Sequence, residues 1–121
     1  MNSFPDFKDR KFRVWGYFQK THSLLICSPH YIHLPKLKKN INIIFRDVSF
    51  FALPTAMDGL SFHHANAAES SRLSTRLNRE VMASEVVIID CDRRRFPVVS
   101  KKVEVIESEG DSSSAEILKD L

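Results

Sequence analysis

The sequence predicts an α+β domain, with a mainly antiparallel, strongly twisted sheet of six to eight strands and one main helix. Segments of alternating apolar and polar residues fill the first half of the chain, one segment has helical spacing, and strand-like segments return after it. Strands grouped on both sides of a single helix are typical of an antiparallel sheet rather than of a doubly wound parallel one. A partly barrel-like curl of the sheet is also compatible with this pattern.

The first two strands are predicted to pair as a hairpin. Residues 1–9, which contain Pro5, have the character of a loose arm. Residues 11–18 (KFRVWGYF) alternate with aromatic side chains on both faces, and residues 22–28 (HSLLICS) form an apolar run of the kind found in buried strands. Only a short polar gap separates the two segments, which favours an antiparallel hairpin.

A proline-containing loop and a long strand-like stretch come next. Residues 29–40 contain two prolines, which lack backbone donors and predict a loop. Residues 40–53 are the most strand-like stretch of the chain, with a bulge or turn expected at the Arg-Asp pair in its middle. Residues 56–59 are predicted as a turn because Asp-Gly readily adopts positive φ, and residues 60–62 as one more short strand.

Residues 64–84 change from strand spacing to helical spacing. Leu73, Leu77 and Val81 recur at every fourth position, as the apolar stripe of an amphipathic helix does. Asn66 is a favourable N-cap residue, so the helix is expected to begin near it.

The chain returns to strands after the helix. Residues 85–92 (EVVIIDCD) form an apolar run with an acidic end, and the three arginines that follow are expected to turn the chain. Residues 96–100 and 103–106 supply one or two more strands. Residues 108–121 are acidic and contain three serines in a row, so we expect a flexible C-terminal segment.

Length and composition describe one small domain, residues 1–121. The chain has 43% hydrophobic and 27% charged residues and a net charge of +3, an ordinary mix for a globular protein. It contains no run of about 18 apolar residues that would suggest a membrane span, and its N-terminus lacks the apolar core of an export signal. Together with Cys27 and Cys91, which are interpreted as free thiols, these features predict a cytoplasmic protein with no membrane contact.

One face of the first strand is a candidate surface for a protein partner. Arg13, Trp15 and Tyr17 share one parity in residues 11–18, and they would be exposed together if the core lay under the other parity. Trp, Tyr and Arg are enriched among the residues that dominate binding energy at interfaces. The alternative is that Trp15 packs beneath a neighbouring segment.

Arginines are the most prominent charge feature. Three lie in the predicted helix and three follow the strand at residues 85–92, and guanidinium groups can hold phosphate or carboxylate groups through two parallel hydrogen bonds. The candidate anion-binding residues are Arg72, Arg76, Arg79, Arg93, Arg94 and Arg95. The alternative interpretation is an ordinary solvated surface that the neighbouring aspartates neutralise.

Histidines and aspartates allow a third hypothesis, a small enzyme or a metal site. The residues concerned are His30, His33, His63, His64, Asp90 and Asp92. Their spacing matches neither a zinc-finger pair nor a HExxH helix, and the sequence contains no GxGxxG, P-loop, GxSxG or CxxC motif. We therefore predict no cofactor, no metal and no catalytic residue.

The first half of the chain also carries a resemblance. Residues 11–62 contain the runs KFRVWGYF, HSLLICSP and NINIIFRDVSFFALPTAMDGLSF. With these runs the chain resembles short, uncharacterised bacterial proteins of one domain. The resemblance covers about half of the chain and implies a small bacterial single-domain protein, without implying any activity.

The sequence thus predicts a non-catalytic protein that acts through a protein partner, as an interaction or accessory module. Binding of an anion or a nucleic acid by the arginines is the alternative, and the enzyme or metal site is a second alternative. A sheet edge near residues 40–53 would allow self-association into a homo-oligomer, since unpaired strand edges recruit partners.

Overall fold

The fold is an eight-stranded antiparallel sheet with one helix, which confirms the predicted α+β class. The computed structural model describes residues 6–28 and 39–109. The elements in chain order are β1 (Asp6–Phe18), β2 (Ser23–Ser28), β3 (Lys39–Arg46), β4 (Phe50–Phe51), β5 (Ala56–His64), α1 (Ala67–Leu77), a single turn of 3-10 helix (Ala83–Glu85), β6 (Val86–Cys91), β7 (Arg94–Val99) and β8 (Lys102–Glu109). The strand order across the sheet is β4-β7-β6-β5-β1-β2-β3-β8, and β1 pairs with β2 as the predicted hairpin.

The sheet curls strongly, but it does not close into a barrel, because β4 and β8 remain its two edges. The rings of Tyr17 in β1 and Phe51 in β4 have centroids 5.5 Å apart, although three strands lie between β1 and β4 in the sheet. In a flat sheet, four strand spacings of about 4.8 Å would put these rings about 19 Å apart. The concave face therefore packs against itself and needs no second layer.

The concave face holds the larger core. Its fully buried side chains include Phe45 of β3 and Ile89 of β6, and Phe45 contacts the ring of Phe62 at 6.5 Å between centroids. The buried members of this concave core are Phe12, Leu24, Ile26, Ile41, Ile43, Phe45, Val48, Met57, Leu60, Phe62, Val87, Ile89, Cys91 and Val98. A strand's alternate residues face opposite sides, so Ile88 of β6 points away from this core and toward α1.

The helix begins where the sequence predicts and ends earlier. Asn66 is its N-cap: the Asn66 side chain accepts a hydrogen bond from the Glu69 backbone N–H at 2.8 Å, and the Asn66 N–H donates to the Glu69 carboxylate at 3.0 Å. Asn78 caps the other end in the left-handed region, with φ 54°, so the helix stops at Leu77. The predicted continuation to residue 84 is wrong. Val81 is still buried against α1, but from the extended segment that follows it.

Two other local predictions need correction. Residues 56–59 do not form a turn, because they lie inside β5, where Gly59 takes a φ of 76° at an irregularity in the pairing with β1. A positive φ at glycine can serve a bulge within a strand as well as a turn. β1 begins at Asp6, so the part of the predicted arm from residue 6 to 9 is strand, and residues 1–5 lie outside the described residues.

The sheet edges also differ from expectation. β3 pairs with β2 on one side and β8 on the other, so residues 40–46 are interior and only the two-residue β4 of the predicted 40–53 edge lies at an edge. The predicted break at the Arg-Asp pair is confirmed at Asp47, whose φ is 54°.

Several predicted segments fall wholly or partly outside the described ranges. Residues 29–38 of the predicted loop and residues 110–121 of the predicted C-terminal segment lie there, whereas residues 108–109 belong to β8. Within the ranges 6–28 and 39–109, no helix is long and apolar enough to cross a membrane.

Candidate anion-binding groove

A groove of about 380 Å³ lies between α1 and the convex face of β6 and β7. Its lining residues are Glu69, Arg72, Leu73, Arg76, Ile88, Arg95 and Pro97, and we call it the arginine groove. Leu73 and Ile88 are buried members of the smaller apolar cluster that attaches α1 to the sheet. The groove therefore combines an apolar floor with three guanidinium groups and one carboxylate.

Helix and strand periodicity bring these side chains together. Arg72 and Arg76 lie four positions apart on α1, so they occupy neighbouring places on one side of the helix. Arg95 pairs with Asp90 across β6 and β7, and Pro97 pairs with Ile88. Because Arg95 and Pro97 are two residues apart in one strand, both face α1.

Glu69 and Arg95 form a clamp between α1 and β7. The Arg95 Nε and Nη2 groups donate to the two Glu69 carboxylate oxygens, each at 2.9 Å. These hydrogen bonds, supported by the backbone N–H of Asn66 and the charges of Arg95 and Arg72, lower the pKa of Glu69 from 4.5 to about 2. Glu69 thus stays ionised at neutral pH and holds Arg95 in a fixed orientation.

The side chains of Arg72 and Arg76 make no hydrogen bond or ion pair with any other residue in the described part of the chain. The Arg76 guanidinium lies over the Phe50 ring, 5.2 Å from its centroid, which limits its orientations without using its hydrogen-bond donors. Both side chains are exposed. Within residues 6–28 and 39–109, therefore, no protein group occupies their side-chain hydrogen-bond donors.

The six arginines predicted to form one surface lie in three places. Arg79 lies near the end of α1, where it donates to the Ser49 hydroxyl at 3.0 Å and lies 3.5 Å from a Glu85 carboxylate oxygen. Arg93 takes a φ of 64° in the β6–β7 turn, and Arg94 pairs with Cys91, whose side chain belongs to the concave core. Only Arg72, Arg76 and Arg95 line the groove.

Comparison with known proteins gives no relative for this arrangement. The chain matches no protein-family model, no curated protein and no solved structure. Any functional argument therefore rests on the chemistry of its own residues.

The predicted partner surface of Arg13, Trp15 and Tyr17 is divided by a β-bulge. Val14 pairs with Ile26 and Gly16 with Leu25, so Trp15 is an extra residue without an opposite partner in β2. The bulge reverses the parity, and Tyr17 faces the concave side, where its ring contacts Phe51. The prediction that all three share a face is wrong for Tyr17, although Tyr17 is exposed, at 39%, as Arg13 and Trp15 are. Arg13 is exposed, and Trp15 has 49% of its surface exposed.

The two cysteines are free, as predicted. Cys91 is buried in the concave core. Burial raises the pKa of the Cys27 thiol, and the nearby Arg13 charge only partly offsets this. A raised pKa leaves Cys27 largely protonated at neutral pH, which is unfavourable for a nucleophile.

Ser61, His63 and Asp90 approach one another on the convex face without forming a hydrolase relay. The Ser61 hydroxyl is 3.3 Å from His63 Nε2, and an Asp90 carboxylate oxygen is 3.7 Å from the same nitrogen. A relay needs the hydroxyl on one ring nitrogen and the carboxylate on the other. This arrangement therefore has the residue types of a catalytic triad with the wrong connectivity.

The hypothetical metal site does not assemble from the described residues. His63 pairs with Ile88, on the helix side, whereas His64 pairs with Val87, which faces the concave core. Within residues 6–28 and 39–109, no group of three or more His, Cys, Asp or Glu side chains is arranged to hold a metal ion. His30 and His33 lie outside the described residues.

Glu69 is not among the site residues that the sequence predicts. Its Asn-x-x-Glu spacing is a recognisable capping signature, and Asn66 was expected at the helix start. Its pairing with Arg95, however, spans 26 positions and depends on how α1 packs against β7. Local patterns do not contain that information.

Proposed function

We propose that this chain is a non-catalytic binding protein whose ligand is an anionic partner held in the arginine groove. The observation that carries the proposal is the pair Arg72 and Arg76, two exposed guanidiniums that make no hydrogen bond or ion pair in the described part of the chain and lie beside an apolar floor. A small number of placed polar groups on an apolar lining is the usual chemistry of a ligand site.

Two of the three arginines in the groove, Arg76 and Arg95, are already held in place by neighbouring residues. Arg76 is oriented by the Phe50 ring, and Arg95 is held by Glu69, so little side-chain freedom is lost when a ligand arrives at these two positions. Positive charge exceeds negative charge among the lining residues. An incoming anion therefore gains hydrogen bonds from groups that are already placed.

The cellular setting belongs to the same proposal. A bacterial, cytoplasmic protein is the setting that we propose, and the two free thiols support a reducing compartment. The chain would act there as an interaction module whose ligand is another protein. Trp15, half exposed at the β1 bulge beside Arg13, supports a second contact surface on the same chain.

The test uses anilinonaphthalene sulfonate, a dye that combines one sulfonate with apolar rings, in a fluorescence titration of the native protein. We expect Arg72→Gln with Arg76→Gln to weaken dye binding at least tenfold, because both free donors are lost. Arg93→Gln with Arg94→Gln removes the same charge outside the groove and should leave the affinity unchanged. Equal affinity in the groove variant and the parent, or equal weakening in both double variants, would contradict the proposal.

A further inference from the structure

We infer that the partner held in the arginine groove is an acidic segment of another protein in which carboxylate and apolar side chains lie close together. This inference rests on the proposed function and specifies the ligand of the same site. The carboxylates would bind Arg72 and Arg76, and an apolar side chain would rest on the floor formed by Leu73, Ile88 and Pro97.

The groove already holds one carboxylate in the geometry that a partner would use. Glu69 accepts two hydrogen bonds of 2.9 Å from Arg95, and its side chain is only 11% exposed. Planar guanidinium groups bind carboxylates in this two-pronged manner. Arg72 and Arg76 lie on the same side of α1, and within the described residues neither guanidinium is hydrogen-bonded to a carboxylate.

The charges around the groove disfavour a nucleic acid backbone. The carboxylates of Glu69 and Asp90 lie within 2.9 and 3.9 Å of the Arg95 guanidinium and cancel much of its field. Arg94 pairs with Cys91, a member of the concave core, and Arg95 pairs with Asp90, so these consecutive arginines alternate between the two faces of β7. The chain therefore lacks, in its described ranges, the continuous basic stripe that a series of phosphates requires.

The floor of the groove favours a small apolar component in the ligand. Leu73 and Ile88 are 7% and 2% exposed, so the apolar surface that the floor offers comes mainly from the half-buried Pro97, and the floor supplies no hydrogen-bond partners. A volume of about 380 Å³ is near the lower end of the range for small-molecule sites. It accommodates a few side chains of a partner segment.

The inference is tested by titrating unlabelled ligands into the isotope-labelled full chain and following the amide signals of α1 by NMR. The probe is an end-blocked, eight-residue peptide of alternating glutamate and leucine. Its comparators are a glutamate–serine peptide, a lysine–leucine peptide and an oligothymidylate of eight nucleotides. We expect the glutamate–leucine peptide to bind at least tenfold more tightly than each comparator.

The variants separate failure of the inference from failure of the proposed function. Arg72→Gln with Arg76→Gln should weaken binding of the glutamate–leucine peptide at least tenfold, while Arg93→Gln with Arg94→Gln should not. If the serine peptide or the oligonucleotide binds as tightly as the leucine peptide, or if the leucine peptide does not bind, the acidic-segment inference is overturned while dye binding still supports the groove. If the leucine peptide binds the groove variant as tightly as the parent, both proposals are overturned.

Discussion

The two faces of the sheet differ in how much apolar packing they carry. Among the residues that the structure describes, the concave core contains 14 buried residues from six strands and the segment at Val48, whereas the cluster beneath α1 contains six. The helix side adds a polar clamp, Glu69 with Arg95, and has the groove beside it. The comparison indicates that the concave core is the larger source of stability, while the smaller cluster beneath α1 lies beside the proposed binding site.

The largest effect is expected from truncation in the concave core. Phe45 is 0% exposed and contacts Phe62 across the curled sheet, so Phe45→Ala should lower the free energy of unfolding by about 3–5 kcal/mol. Urea denaturation followed by circular dichroism measures this loss. A loss below about 1 kcal/mol would show that the concave face is not the main source of stability.

A smaller and more local effect is expected beneath the helix. Leu73 is 7% exposed in the six-residue cluster, so Leu73→Ala should cost about 2–3 kcal/mol. Hydrogen exchange should accelerate more for the amides of α1 than for those of β2 and β3, because fewer contacts hold the helix. Equal acceleration in all three elements would mean that the two clusters unfold as one unit and that the comparison is wrong.

The Glu69–Arg95 clamp should contribute less to the free energy of unfolding than either apolar cluster does, and its contribution should depend on pH. The pKa of Glu69 is lowered from 4.5 to about 2, so its stabilisation is fully present above pH 4.5 and is lost as the pH falls toward 2. Glu69→Gln should cost about 1–2 kcal/mol at neutral pH, since Arg95 is partly exposed, and the parent–variant difference should vanish near pH 2.

Denaturation of the parent and of Glu69→Gln across this pH range provides the measurement. Glu104→Gln is a matched control, because hydrogen bonds from Lys102 and then Arg46 also lower the pKa of Glu104, at a site remote from α1. Glu104→Gln should leave the hydrogen-exchange rates of the α1 amides unchanged. A parent–Glu69 difference that does not depend on pH would contradict the role assigned to the ion pair.

The smallest effects should distinguish the two exposed aromatic residues of β1. Tyr17 contacts Phe51 and hydrogen-bonds to His22 Nδ1 at 3.0 Å, so Tyr17→Ala should cost about 1–2 kcal/mol. Trp15 is 49% exposed at the bulge, and Trp15→Ala should change stability by less than about 0.5 kcal/mol. Equal losses in denaturation would mean that Trp15 is packed rather than available to a partner.

The sequence predicted the features that depend on local periodicity. Alternation in residues 11–18 and the apolar run in residues 22–28 predicted the β1–β2 hairpin, and Asn66 predicted the helix start, because neighbouring residues determine these features. The Asn78 cap shortened the helix without interrupting the apolar spacing that continues to Val81. Spacing alone therefore overestimated the helix length.

The features that the sequence analysis missed depend on pairing and packing. The extra residue at Trp15 moves the β1 residues that follow it to the opposite face of the sheet from the one that simple alternation predicts. The adjacent Gly16 is the one local sign of an irregularity in this strand. Likewise, β7 directs Arg95 toward α1, whereas Arg94 pairs with a residue of the concave core. The arginines could be named as candidates from the sequence, but which of them share a groove depends on strand register and helix docking.

The central claim is that the arginine groove binds an acidic partner and is separate from what stabilises the fold. The most direct test is urea denaturation of the parent and of Arg72→Gln with Arg76→Gln, each with and without the glutamate–leucine peptide. Without peptide, the two free energies of unfolding should agree within about 1 kcal/mol. Peptide at about a hundredfold excess over the parent's Kd should stabilise the parent by about 2.7 kcal/mol and the variant, with tenfold weaker binding, by about 1.4 kcal/mol. Equal stabilisation of the two proteins would contradict the claim.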